Sequence, residues 1–438
     1  MAHDTAERES ASLALEQEID RPSGGAIDYT RLYRLWEDNN WSAYDIDLTR
    51  DMTDWRKKLS AKQRAAARWN YALFLHGEEA VARTLAPFVG ALWTQEQRVF
   101  VTTQIVDEAR HHVFFSRFMR EVLGDGRDMA TTLDAVDSEL TTGFRQVFAE
   151  LDSVTDRLRQ RPQDRLLLAR SVLLYHLIVE GTMAHPSQHF IRAYLARRGL
   201  LPGFSEGIAR ISRDESRHMA FGIQVLTELV AEAPDLRHDL VRTLNKVLPW
   251  VIGVFVPPNL DQDYARCFGF EMADIYAFGL RSLQSKLTRV GIDPGTVRSL
   301  VQVGGGLSPD EQARRALTLL YAGVLGDAAP LRLDESVMDL LFDGLERVVN
   351  MSSHLDLPGP IQWSFPDAAP WYLVAHDGRG TVHRGQALAP ALTISCQAED
   401  WARIAGQKLN ARLAVLRGRL RIKGDMRLAM RLPSLLGD

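Results

Sequence analysis

Only two cysteines, Cys267 and Cys396, occur in 438 residues. That is too few for a disulfide framework or a cysteine metal cluster. An excess of basic charge is also missing. Lys and Arg total 52 against 56 Asp and Glu, a formal net charge of -4, so no global basic field points to nucleic acid. Long apolar runs are scarce. The stretch from Val247 to Val256 is too short to span a bilayer and is interrupted by Pro249. The opening segment MAHDTAERES is polar and acidic with no apolar signal core, which argues against secretion. Charged residues make up 25% and hydrophobic residues 46%, which excludes a disordered, collagen-like or low-complexity chain. The expectation is a cytoplasmic protein with no transmembrane segment, long enough for two or three domains and a substantial core.

Residues 1–27 read as a polar arm, with Pro22 and Gly24-Gly25. From about 55 to 290, within a domain set at 28–300, apolar residues recur at helical spacing. Leu73, Leu75, Val81, Leu85 and Phe88 belong to one such stretch, and Leu133, Val136, Leu140, Phe144, Phe148, Leu151 and Val154 trace another. A helical bundle follows from this pattern. Residues 301–330 break it, with Gly304-Gly305-Gly306 and a linker-like stretch from Asp327 to Pro330. Over 331–438 the period moves towards two. Strands are expected at 361–365, 371–376, 380–385 and 391–396, then at 420–425, before a last apolar helix from Met426. The chain is therefore mainly α, a bundle followed by an α+β domain.

Two segments repeat a phrase: Asp107-Glu108-Ala109-Arg110-His111 and Asp214-Glu215-Ser216-Arg217-His218. Each holds Glu-x-x-His, which puts a carboxylate and an imidazole on one helix face, in reach of one ion. A bundle metal site needs two more carboxylates. Glu78 lies 30 residues before Glu108, and Glu180 lies 35 before Glu215. Both sit in apolar segments, where an unpaired carboxylate is costly to bury. Four carboxylates and two imidazoles neutralise two hard divalent ions and leave positions for dioxygen. Glu79 points about 100° away from Glu78 on a helix and reads as a polar neighbour. His112 falls off the metal face, and His176 reads as a packed, hydrogen-bonded histidine. Asp107 and Asp214 are either acceptors behind the opposite pair's imidazole or solvent-facing helix charges.

The segments GEEAV (77–81), DEARHH (107–112), YHLIVEG (175–181) and DESRHMAFG (214–222) resemble the ligand-binding oxidases related to the small subunit of ribonucleotide reductase. The resemblance covers roughly residues 28 to 290. It implies a ferritin-like domain with a mixed manganese/iron centre, a di-iron pair being the alternative. The manganese side would be Glu78 and His111, the iron side Glu180, Glu215 and His218, with Glu108 bridging. It implies an ether crosslink between Val81 and Tyr175 made during oxygen activation. It also implies a long-chain fatty acid whose carboxylate touches the metals. A reductase subunit would carry a radical tyrosine where Phe115 stands and a docking tail that is absent here. A di-iron N-oxygenase would carry a histidine where Ile211 stands.

The C-terminal run 391–432 resembles sterol carrier protein type two, with its G-x-L-x-x-K-G-D phrase on Gly418, Leu420, Lys423, Gly424 and Asp425. That resemblance implies a sheet and helices around an apolar lipid tunnel, for which Trp363, Phe365, Trp371 and Trp401 would supply a wall or a filled core. From Arg403 to Arg431 there are nine Lys/Arg and a single acid, Asp425, either a solvated face or a contact for acidic lipid headgroups or an acidic partner. The expected function is a dioxygen-activating dinuclear metal oxidase acting on a long-chain fatty acid or other lipid, with an unidentified electron donor and room for a homodimer. The alternatives are a lipid carrier with a structural or single-turnover metal centre, and a reductase-type radical generator.

Overall fold

The computed structural model describes residues 26–297, 306–326, 329–351 and 357–430. Most of the expected N-terminal arm, Gly304 and Gly305, residues 327 and 328, and the end of the last helix lie outside them. The chain forms two compact units. One is Met1–Leu240 with Asp261–Ile292, and the other is Val241–Leu260 with Asp293–Asp438.

The first unit is helical, in line with the ferritin-like expectation. Helices Ala61–Thr84 and Gln95–Phe118 each start at a capping box, Ser60 with Gln63 and Thr94 with Gln97. Each box satisfies two otherwise orphaned backbone donors. The two helices pack side by side. Arg165–Val172 runs into a π-helical segment, Leu173–Ala184, and then into His185–Arg198. Helix Pro202–Glu232 packs against that wide segment. Its start is held from outside: the Asp51 carboxylate accepts from the Gly203 and Phe204 amides at 2.9 and 2.7 Å, and Asp54 accepts from Leu201 at 3.1 Å. Two acids of one short helix thus do the work of an N-cap. Gly222 permits the close approach at the centre, since a Cβ there would lie 2.2 Å from the His176 side chain.

Three sequence expectations change. The apolar stretch from Leu133 to Val154 is two helices, Met129–Val136 and Thr142–Gln160. Leu140 is extended, and Thr141 caps the second helix by accepting from the Phe144 amide. Pro249 lies inside helix Leu236–Ile252, which continues three residues beyond it. Finally, one helical stretch, Arg165–Arg198, is long and apolar enough to cross a membrane, but 89% of its apolar window is buried inside the protein. An all-round apolar helix is what a bundle interior also requires.

In the second unit, helix Pro309–Tyr321, capped by Ser308, falls in the stretch expected as a linker. Helix Glu335–Asn350 precedes five strands: β1 Ile361–Ser364, β2 Trp371–His376, β3 Arg379–Arg384, β4 Leu392–Cys396 and β5 Leu420–Gly424. All match expected strands to within a residue or so. The sheet order is β3-β2-β1-β4-β5, with β1 and β4 parallel and the other pairs antiparallel. Phe342 gathers the aromatics. Its ring stacks on Trp371 at 4.6 Å and lies 5.7 Å from both Trp363 and Trp401 and 6.2 Å from Phe365. Trp363, Phe365 and Trp401 are therefore buried with Phe342 in an aromatic core, while Trp371 is half-buried. A pocket of about 840 Å³ is lined by Trp371 together with Leu331, Leu333, Met338 and the ion-paired Arg384 and Arg403.

Candidate metal centre

Four helical segments each bring acidic groups to one buried point. Ala61–Thr84 carries Glu78, Gln95–Phe118 carries Glu108 and His111, the π-helical Leu173–Ala184 carries Glu180, and Pro202–Glu232 carries Glu215 and His218. Each of the six is at most 5% exposed. Glu78, Glu108, His111 and Glu215 form one group with ligand atoms within 4.8 Å of one another; Glu108, Glu180, Glu215 and His218 form a second. The two groups share Glu108 and Glu215. The resemblance put Glu215 on one side only. In the structure its Oε1 lies 3.9 Å from His111 Nδ1 and its Oε2 lies 3.6 Å from His218 Nδ1.

The Nδ1 atoms of both histidines face the shared carboxylates. His111 Nδ1 faces Glu78 and Glu108 oxygens at 3.5 Å each, and His218 Nδ1 faces Glu108 and Glu180 at 3.2 and 3.4 Å. Neither Nδ1 makes a hydrogen bond, and Glu180 Oε2 and Glu215 Oε2 are buried without a partner as well. Native proteins rarely leave so many buried polar atoms unpaired in one place. Carboxylates and imidazoles converging on two points fit a pair of divalent ions of the manganese or iron type.

The opposite ring atoms are anchored. His111 Nε2 donates to Asp214 Oδ2 and His218 Nε2 to Asp107 Oδ2, both at 3.1 Å. An ionised carboxylate can only accept, so each ring must carry its proton on Nε2 and present Nδ1 to the centre. Each aspartate stands behind the imidazole of the other pair, and both are buried. Arg217, 1% exposed, ties them together by donating to Asp107 at 3.2 Å and to Asp214. Trp36 and Trp41 indoles donate to Asp107 and Asp214 at 2.9 and 2.8 Å, and Arg110 adds a bond to Asp107 at 2.7 Å.

Electrostatics follow from this packing. Burial pushes the Glu78 and Glu180 carboxyls well above their usual range. Burial acts on Glu108 in the same direction, but the His111 and His218 rings facing it outweigh burial and hold Glu108 well below. Burial opposes charge on both imidazoles too. The Glu78 charge and the Asp214 hydrogen bond raise His111 all the same, and the Asp107 hydrogen bond with the facing Glu108 carboxylate raises His218. Taken as side chains alone, the two rings hold protons that a metal pair must displace.

Other expected residues fall into place. Tyr175 is fully buried and donates to Glu108 Oε1 at 2.6 Å. Val81 is buried three residues beyond Glu78 on the same helix. Glu79 leaves the cluster and pairs with Arg83 at 3.3 Å. Burial lowers His112, and the Leu75 backbone carbonyl, an acceptor for the ring's N–H, partly offsets it. His176 lies 3.2 Å from Gln104 Oε1, and burial drops its pKa to about 3. Gln104 then donates to Glu180 Oε1 at 2.9 Å. Gln104, Trp36 and Trp41 carry no mark in the sequence. Nothing in their spacing sets them apart from core and surface residues. Phe115, at the radical-tyrosine position, stacks on Phe74 at 5.2 Å.

Residues 26–247 match the family described as ribonucleotide reductase, small chain, and residues 353–437 match the SCP-2 sterol transfer family. Among solved structures the chain is similar to R2-like ligand-binding oxidases. A valine-to-isoleucine variant with an anaerobically reconstituted Mn/Fe cofactor is 26% identical with a TM-score of 0.51, over 60% of this chain and 93% of that one. The same variant reconstituted aerobically is 25% identical with a TM-score of 0.53, over 60% and 94%. A tyrosine-to-phenylalanine variant with an anaerobically reconstituted Mn/Fe cofactor is 27% identical with a TM-score of 0.51, over 60% and 93%. Those relatives carry a Mn/Fe pair, and the buried cluster here can hold a dinuclear centre.

Proposed function

The chain belongs to the ribonucleotide reductase small-chain family, and from that premise we propose that it is a dioxygen-activating dinuclear metal oxidase acting on a long-chain fatty acid or similar lipid. The oxidase part is assigned to 28–300 and a lipid-carrier part to 331–438, with 301–330 between them. Glu78 and His111 would hold one ion, manganese in a mixed pair, and Glu180 and His218 the other, iron. Glu108 and Glu215 would serve both. When bound, such a pair supplies the electrons that reduce dioxygen.

The chain's own residues do the rest. Asp107 and Asp214 fix which ring nitrogen each histidine offers. Burial of all six acidic and imidazole groups keeps bulk water from the reacting region. Tyr175 keeps a proton beside Glu108, and burial with the Glu108 charge raises its pKa well above 10.0. We assign Tyr175 and Val81 to an ether crosslink. Its phenol oxygen would replace one hydrogen of Val81, the phenol would lose its own, and dioxygen would take the two electrons. Phe115 in place of a radical tyrosine favours an oxidase over a radical generator.

The unpaired His111 and His218 Nδ1 atoms facing shared carboxylates carry this reading. The test is reconstitution with Mn(II) and Fe(II), with and without oxygen, followed by peptide mapping and oxygen uptake with a fatty acid. Aerobic loading should join the Val81 and Tyr175 peptides with the loss of two hydrogens, and fatty acid should sustain oxygen uptake. Separate peptides under both conditions would refute the crosslink. Uptake that stops after one event per protein would favour a lipid carrier.

A further inference from the structure

The second unit exposes an unusual edge. Among the described residues β5 pairs only with β4, and helix Ala411–Leu416 packs against it. A helical turn over 426–430 follows the strand. Within 411–430, Leu413, Val415, Leu416, Met426 and Met430 are exposed, half of the ten exposed large hydrophobics among the described residues. Leu416 is 81% exposed and Met430 74%. The same stretch carries Arg412, Arg417, Arg419, Arg421, Lys423 and Arg427 against Asp425 alone, six positive charges to one negative, in a chain of net charge -4. Arg419 is engaged by Asp400, and Asp425 accepts from the Arg427 and Leu428 amides.

Edge protection accounts for part of this. Charged side chains on an outer strand discourage pairing with another chain, and Arg421 and Lys423 on β5 serve that end. It does not account for exposed Leu416, Met426 and Met430. On a bare edge such side chains promote association, and they are costly to leave in water. Exposed leucine and methionine interleaved with arginine and lysine match a phospholipid surface. Long basic side chains reach phosphates while the apolar ones enter the acyl boundary.

We propose that this edge docks on an anionic phospholipid membrane, with Leu416, Met426 and Met430 inserted and the surrounding basic side chains on lipid phosphates. The occupant follows from charge complementarity and from the apolar side chains, which a free polyanion would leave in water and an acyl boundary would bury. The inference is independent of the metal chemistry and can fail without it.

The test uses the full chain and sedimenting vesicles of phosphatidylcholine alone or mixed with phosphatidylglycerol. Binding is expected to the mixed vesicles only and should weaken with salt, since each basic group acts within a Debye length of the surface. The triple variant Leu416→Ser, Met426→Ser, Met430→Ser should lower vesicle affinity roughly tenfold or more through lost apolar burial. Arg412→Gln with Arg417→Gln and Arg421→Gln should lower it by about as much. All these side chains are exposed, so circular dichroism should be unchanged. Absence of binding to mixed vesicles at low salt would overturn the proposal. So would an apolar triple variant that binds them as the parent does, because the edge would then be a general polyanion contact such as an acidic protein offers.

Discussion

Replacing Arg217 by Met should destabilise the bundle and loosen both halves of the metal centre together. Arg217 is buried and donates to Asp107 and Asp214, the acceptors behind His218 and His111. Removing one partner of a buried ionic network costs about 3–5 kcal/mol, because the remaining charges lose their compensation. For a unit of this size each kcal/mol shifts the unfolding temperature by about 2–4 °C, so a fall of roughly 6–20 °C is expected. Loss of the support behind a metal-binding imidazole typically weakens metal affinity about 10–100-fold. The effect should be larger in the metal-loaded protein. There the rings are neutral, and the aspartates depend more on Arg217. The assay is thermal unfolding with and without Mn(II) and Fe(II), together with metal titration. Adding Asp107→Asn to the variant removes one uncompensated charge and should restore part of the loss, a coupling that a double-mutant cycle reads directly. An Arg217→Met protein with parental unfolding temperature and parental affinity would refute the bridging role. Loss of one ion with the other unaffected would show that Arg217 supports a single half.

Glu108→Ala should remove most of both ions, since Glu108 Oε2 lies 3.5 Å from His111 Nδ1 and Oε1 lies 3.2 Å from His218 Nδ1; elemental analysis of purified protein checks this, and a content near that of the parent would contradict it. Metal binding should weaken as pH falls and should release protons. His111 and His218 are raised above 6.5, so the stability their charged forms contribute is complete below that value and is lost as pH rises through their folded pKa values. Glu78 and Glu180, raised above 4.5 by burial, change in the same direction. The stabilisation conferred by metal should therefore grow with pH, and thermal unfolding across pH at fixed metal, with a proton-release titration, would show it. A pH-independent metal effect would mean that no proton is displaced.

Helical periodicity and the two matched Glu-x-x-His phrases were enough to read a bundle with six converging groups. That legibility has a simple cause. A helix converts spacing of three into a shared face, and an acid in an apolar run is costly to bury unless it is paired or binds an ion. The five strands were equally legible, because alternating side chains and turn residues are local. The break near Leu140 was not. Extended backbone at one leucine followed by a Thr141 cap can be read only once the backbone is seen, since the apolar spacing continues through it.

The residue types at the centre, the helices that carry them and their family were all legible along the chain. How those groups face one another depends on long-range packing. The π-helical turn at 173–184 and the close approach at Gly222 set where Tyr175, His176 and Glu180 lie. Packing of helix Pro202–Glu232 put Glu215 between both imidazoles. Asp107 and Asp214 could have been solvated helix charges. They became buried anchors because Trp36 and Arg217 reach Asp107, and Trp41 reaches Asp214, from distant parts of the chain, with Arg217 also bonding Asp214 one turn away. The physical reason is that spacing along a helix is a local property. Which oxygen faces which nitrogen depends on contacts between residues more than a hundred positions apart, and no local pattern encodes them.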